Sequence, residues 1–179
     1  LDSITLLDSK KFNEMNTNQN ISSFVGHTWN GCSASVNQNG FNCLEAIDGI
    51  TNVQNNGWAY NRVSPAWAIF DLTEKRKMNT LVIMNGQKWN GHNRLIVFRV
   101  TLKVDGEWIN LTGLKVQEDP SAEIGGDGTV TLASGISVLQ LEFNTVFNVQ
   151  SIRLDVTKTD ASNNNVVVNE IIPKFEYRE

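Results

Sequence analysis

Residues 44–72, LEAIDGITNVQNNGWAYNRVSPAWAIFDL, carry the pattern that decides the fold. The segment opens with an Ala-x-Asp-Gly turn at 46–49 and continues as a polar loop that ends at Trp58. After a second loop, 66–72 is an apolar run of the length typical of a buried strand. The loop is rich in oxygen donors of the kind that hold a cation. We therefore expect a cation-holding loop, closed by Trp58, on a β-scaffold.

The chain after Pro65 alternates between strand-like runs and polar loops. Asp105-Gly106 is a dipeptide preferred in two-residue hairpin turns, 73–79 is a charged connection, and Pro173 breaks or bulges the last strand. No stretch sustains a helical apolar period. The sequence predicts one domain over 1–179, an all-β, eight-stranded jelly-roll β-sandwich. Its main strands are predicted at 66–72, 80–84, 95–104, 107–111, 129–132, 138–143, 151–157 and 166–172.

Charge and hydropathy exclude several classes of partner. The net charge is −4, and the basic run Lys75-Arg76-Lys77 lies in the predicted connection. This argues against nucleic acid or an anionic membrane as the main partner. No apolar run approaches the ~20 residues that span a bilayer.

Cys32 and Cys43 lie in a region rich in glycine, asparagine and serine. A disulfide between them would suit a secreted protein, and two unpaired thiols are the alternative. A zinc site would require more ligands than two cysteines and two distant histidines supply.

The order of several weak motifs resembles the discoidin, or coagulation factor 5/8 type C, domain. This galactose-binding-like fold is shared with family 32 carbohydrate-binding modules. The resemblance covers roughly 33–177 and implies a jelly roll whose ligand loops lie at the end opposite the termini. The motifs are, in order, 46–49, Trp58, Trp67 with Asp71-Leu72, 80–84, 94–100, 104–108, 151–154 and 168–171.

The resemblance also implies a structural calcium ion. Its carboxylate ligands here would be Asp48 and Glu170, from the Asp-Gly loop and the last strand. Asn56 replaces the usual Thr or Ser two residues before the loop tryptophan, and the loop is lengthened by 50–55. Calcium accepts amide and main-chain oxygens as ligands.

Sugars are bound by an exposed aromatic ring beside hydrogen-bonding side chains. The best match follows the strand at 80–84 and consists of Trp89, Asn90, His92, Asn93 and Arg94. The alternative is that Trp89 covers the core and that Arg94 pairs with a surface carboxylate.

Other candidate ligand residues are His27 and Trp29 at a predicted loop tip, Tyr60 beside Trp58, and Asn164 in an Asn run. Each is also compatible with a plain surface loop. Trp58, Trp67 and Trp108 are predicted to pack in the core or at its rim.

The sequence contains no nucleophile elbow, zinc helix or phosphate loop. We therefore expect a non-catalytic carbohydrate-binding module of a secreted or cell-surface multidomain protein. Its ligand would be a glycan, with galactose or N-acetylhexosamine types favoured by the resemblance. The alternatives are a protein- or lipid-binding adhesion domain of the same fold, and a structural spacer.

Overall fold

The computed structural model describes residues 28–37, 41–51, 56–60, 65–86, 93–162 and 165–176. The predicted all-β class is confirmed, since nearly all regular structure in these residues is strand. A short 3-10 helix covers Cys43–Ala46. The strands are β1 (Trp29–Ala34), β2 (Trp58–Tyr60), β3 (Ala66–Asn85), β4 (Leu95–Val104), β5 (Glu107–Asn110), β6 (Lys115–Val116), β7 (Glu123–Ile124), β8 (Thr129–Thr131), β9 (Val138–Thr159) and β10 (Val166–Phe175).

Two long strands, β3 and β9, pair with each other along most of their length. The register jumps twice, once between Asp71 and Arg76 and once between Met78 and Thr80. Extra residues on one strand of an antiparallel pair bend it and increase its twist. Each strand therefore turns over and contributes one half to each layer of a sandwich.

The remaining strands attach to one half or the other. β1 pairs with the first half of β3, and β4 pairs with the second half of β9. β4 also pairs with β5 and with β8, and β8 pairs with β7. In the second layer, β10 pairs with the second half of β3 and carries β2, while β6 pairs with the first half of β9. The buried apolar side chains between the layers form one cluster.

The folding-over of β3 and β9 gives the sandwich two distinct ends. We call one the bend end, where β3 and β9 turn between layers. Trp29 pairs with Leu72 and Phe175 pairs with Met78 there, so β1 begins and β10 ends at the bend end. We call the other the loop end; β3 and β9 both begin and end there, and β4 and β10 begin there.

Several local predictions are correct. Asp105 and Gly106 form the hairpin turn between β4 and β5, with φ of 50° and 81°. Trp58 is fully buried, and its indole N–H donates to the Val36 carbonyl at 2.9 Å. Trp108 lies at the rim with 41% exposed, and the Lys103 ammonium lies 5.9 Å from its ring centroid.

Two predictions at the bend end are wrong. The charged segment 73–79 is not a connection but part of β3: exposed residues 73–75 lie in the first bulge, and 76–78 pair again with β9. Trp29 is not at a loop tip: it lies in β1 with only 2% exposed, and its ring packs edge-to-face on Phe70. A ring in this position cannot stack on a sugar. By contrast, the expectation that Pro173 breaks or bulges the last strand is met by a bulge: β10 continues through Pro173, and its register shifts between Lys174 and Phe175.

Cys32 and Cys43 form a disulfide with an S–S distance of 2.04 Å. The bond joins β1 to the 3-10 helix that leads into the Asp-Gly turn. It therefore fixes the entry to this turn against the first layer.

Replacing both cysteines by serine should lower the free energy of unfolding by about 3 kcal/mol, because the short cross-linked loop no longer restricts the unfolded chain. Urea denaturation of the variant and of the parent measures this difference. Adding a thiol reductant to the parent should reproduce it, whereas unchanged stability in both cases would show that the bond contributes nothing.

Candidate functional site

The Asp-Gly turn and β10 bring two carboxyl groups together in the interior. Glu170 is completely buried, and its Oε1 accepts a hydrogen bond from the Gly49 N–H at 3.0 Å. Its Oε2 is buried without a hydrogen-bond partner among the described residues. Asp48 lies beside it, with Oδ1 accepting from the Ile50 N–H and from Asn56 Nδ2, both at 3.0 Å.

These surroundings disfavour charge on both groups. Burial raises the pKa of Glu170 well above its usual range, and the negative charge of Asp48 raises it further. Burial also raises the pKa of Asp48, against the opposing effect of the hydrogen bonds that it accepts. A buried carboxylate oxygen without a donor is costly, and a hard divalent cation would compensate it. The donor set therefore fits a calcium ion.

The third predicted ligand, Asn56, lies beside Asp48, and its side-chain amide donates hydrogen bonds there. Its Nδ2 donates to Asp48 and, at 3.0 Å, to the Glu45 carbonyl. Its main-chain carbonyl accepts a hydrogen bond from Asn169 Nδ2 at 2.9 Å. Asn56 thus orients Asp48 and connects the loop to β10. Within the described ranges no three His, Cys, Asp or Glu side chains gather, so other oxygen ligands would come from the main chain or amides.

A second constellation lies at the loop end, around Arg94. Its N–H donates to Asp160 Oδ1 at 2.6 Å, its Nε donates to Asp160 Oδ2 at 2.9 Å, and its carbonyl accepts from the Asp160 N–H at 2.9 Å. This ion pair is the alternative that the sequence left open for Arg94. Two of these hydrogen bonds hold the main chain of Arg94 against Asp160, and the third orients the Arg94 side chain through its Nε.

Two glycines make room for this pair. A Cβ atom on Gly135 would lie 2.7 Å from Arg94 Cβ and 2.5 Å from Asp160 Oδ2. A Cβ atom on Gly86 would collide with Arg94 Cγ, and Gly86 also has a φ of 77°, which favours glycine. Arg94 therefore lies in a slot between two loops, and there is room for it only because positions 86 and 135 are glycine.

An open cleft of about 630 Å³ lies beside the pair. This volume is within the ~300–1,000 Å³ typical of small-ligand sites. The cleft is bordered by the start of β4, the end of β9 and the turn between β8 and β9. Its lining residues are Arg94, Ile96, Ala133, Ser134, Gly135, Lys158, Thr159, Asp160, Ala161 and Ser162.

The other predicted ligand residues are placed as follows. Asn93 is buried with 3% exposed, which does not suit direct contact with a sugar hydroxyl. Tyr60 contributes its main chain to β2. The predictions for His27, Trp89, Asn90, His92 and Asn164 lie outside the described residues.

Asn85 holds the loop end together and was not singled out in the sequence. Its fully buried side chain donates to the Ile136 carbonyl at 3.0 Å and accepts from the Leu95 N–H at 2.8 Å. Its main-chain N–H donates to the Ser137 carbonyl at 2.9 Å. Asn85 thus ties the end of β3 to the start of β4 and to the loop before β9. A lone Asn at the end of an apolar run was the only signal.

Asn85→Ala should lower the free energy of unfolding by about 2–4 kcal/mol, because it leaves the Leu95 N–H and the Ile136 carbonyl without their partner. Chemical denaturation measures the loss. Asn148→Ala, an exposed position on β9, is the matched control and should change stability by less than about 0.5 kcal/mol. Equal effects of the two variants would contradict the role given to Asn85.

Comparison with known proteins supports the fold. No family model and no curated protein matches the sequence. Among solved structures, the family 32 module of NanJ from C. perfringens in complex with galactose is 13% identical, with a TM-score of 0.60; the match covers 80% of this chain and 91% of that one. The family 32 module of AlyQ in complex with 4,5-unsaturated mannuronic acid is 18% identical, with a TM-score of 0.55, over 81% and 94%.

The same fold also occurs inside longer chains. SpGH29 is 16% identical with a TM-score of 0.59, and the match covers 84% of this chain but only 27% of SpGH29. The predicted resemblance to galactose-binding-like domains is thus confirmed as a likeness of fold to carbohydrate-binding modules. No helix in the described part of the chain is long and apolar enough to cross a membrane.

Proposed function

We propose that this domain is a non-catalytic carbohydrate-binding module that binds glycans at its loop end. The observation that carries the proposal is the open cleft beside Arg94, at the end of the sandwich where the loops gather. Polar groups that border it, such as Ser134 and Ser162, are suited to sugar hydroxyls. The likeness of fold to carbohydrate-binding modules supports the same assignment by analogy.

The wider setting belongs to the same proposal. A disulfide suits a secreted or cell-surface protein, and a match to part of a longer chain suits a multidomain parent. A single open cleft gives modest affinity, so multivalency would supply useful avidity. A lipid-binding adhesion role is less supported, because the described loop-end cleft carries few apolar side chains.

A glycan array of the isolated domain tests the function, with Trp89 as the predicted aromatic platform. Trp89→Ala should weaken glycan binding at least about tenfold, because losing the stacking of the sugar on the ring removes more than about 1 kcal/mol of binding free energy. The melting temperature should stay unchanged. Trp108→Ala removes an exposed ring near the bend end and should leave binding intact. Normal binding by Trp89→Ala would overturn this residue assignment, and an array without any bound glycan would overturn the function.

We further propose that Asp48 and Glu170 hold a calcium ion. The ion would balance the buried carboxylate of Glu170 and the half-buried carboxylate of Asp48, and it would fill the place that Glu170 Oε2 leaves without a partner. Bound at the base of the Asp-Gly turn, it would stabilise the loop between the 3-10 helix and β2. Its role would be structural, since neither carboxylate borders the cleft.

Calcium at about 100 times its dissociation constant should raise the melting temperature of the parent by about 5–10 °C, because only the folded state offers the site. Glu170→Gln should abolish this rise. Differential scanning calorimetry with calcium and with EDTA measures both. An equal rise in the parent and the variant would place the ion elsewhere.

In EDTA, the stability of the parent should depend on pH more strongly than the stability of Glu170→Gln. The folded-state pKa of Glu170 is raised above its ordinary value. Its contribution to stability is therefore present at low pH and is lost as the pH rises through the folded-state pKa. The raised pKa of Asp48 acts in the same direction. As the pH rises above 4.5, the ordinary pKa of a glutamate, the parent should therefore lose more stability than Glu170→Gln.

A further inference from the structure

The cleft at the loop end has a surplus of positive charge, in a protein whose net charge is −4. Arg94 and Lys158 line it together with one carboxylate, Asp160. Both oxygens of Asp160 already accept hydrogen bonds from Arg94. Asp160 is therefore largely compensated within the pair, and the charge of Lys158 is left without a counter-charge among the described lining residues.

Arg94 offers a fixed pair of donors. Its Nε is engaged by Asp160, while its Nη1 and Nη2 make no hydrogen bond to the described part of the chain. The slot between Gly86 and Gly135 holds the side chain in place. A planar guanidinium held in this way matches the geometry of a carboxylate or a sulfate ester, which accept from two donors at once.

Lys158 supplies the second cation. Its side chain is exposed at the end of β9, two residues before Asp160 and on the border of the same cleft. A neutral sugar needs hydrogen-bond donors and acceptors but gains little from two cations. A negatively charged group between Arg94 and Lys158 is attracted by both charges, and two parallel hydrogen bonds from the guanidinium would add to this attraction.

We propose that this cleft binds an acidic sugar, whose carboxylate or sulfate ester lies between the Arg94 guanidinium and the Lys158 ammonium. The proposal rests on the glycan-binding function above and names the ligand class of the same site. The exposed hydroxyls of Ser134 and Ser162 flank the charged pair and bind ring hydroxyls of the same sugar. This class differs from the neutral galactose type that the sequence resemblance favours.

Three matched series of oligosaccharides test it by isothermal titration calorimetry. Galactose oligomers, galacturonic acid oligomers and 6-O-sulfated galactose oligomers differ mainly in the group at C6. At least one charged series should bind about tenfold more tightly than the neutral series, and the preferred series identifies the acidic group. Equal or tighter binding of the neutral series would overturn the inference and leave the glycan-binding function standing.

A variant series locates the effect. Lys158→Ala should weaken binding of the charged series about tenfold and should weaken binding of the neutral series clearly less, with the melting temperature unchanged. Lys115→Ala removes an exposed lysine that does not line this cleft and should change nothing. If Lys158→Ala and Lys115→Ala behave alike, the cleft is not the acidic-sugar site. If no series binds to the parent protein, the inference falls, and the glycan array decides whether the proposed function falls with it.

Discussion

The pairing of β3 with β9 is the constraint on which the rest of the structure depends. Each strand is one covalent segment that belongs to both layers, so the layers cannot be positioned independently. The two bulges in this pair set where the chain turns over, and hence where the bend end and the loop end lie. The starts of β4 and β10 reach the loop end because they pair with β9 and β3. The cleft and its polar border are therefore placed by strand register.

Buried polar groups then specify the details that strand pairing leaves open. Asn85 is fully buried and joins three segments at the loop end through its hydrogen bonds. Glu170 joins β10 to the Asp-Gly turn through the Gly49 N–H. Such groups stabilise a fold only while their partners are present, because an unsatisfied buried polar atom costs about 1–3 kcal/mol. They therefore favour the loop arrangement in which these hydrogen bonds are formed.

The sequence predicted the fold better than the site, for physical reasons. Apolar runs and the Asp105-Gly106 turn are local signals, and they located most strands. The segment 73–79 was misread because side chains exposed in a bulge have the composition of a loop. Trp29 was misread because flanking glycines suggest a turn, although one of them lies within β1. The Arg94–Asp160 pair could not be derived, since it depends on β4 pairing with β9, far along the chain.

Because of the hydrogen bonds between Arg94 and Asp160, the shape of the cleft and its electrostatic attraction should respond differently to salt. Two of the three involve main-chain atoms of Arg94, so the contact is more than an exposed ion pair. Dissolved salt screens charges over about 10 Å at 0.1 M and weakens ordinary surface ion pairs, but it does not replace main-chain hydrogen bonds. Rising ionic strength would thus reduce the long-range attraction of a charged molecule while the walls that receive it stay in place. The shape of the cleft would therefore depend less on salt than its attraction for a charged molecule does.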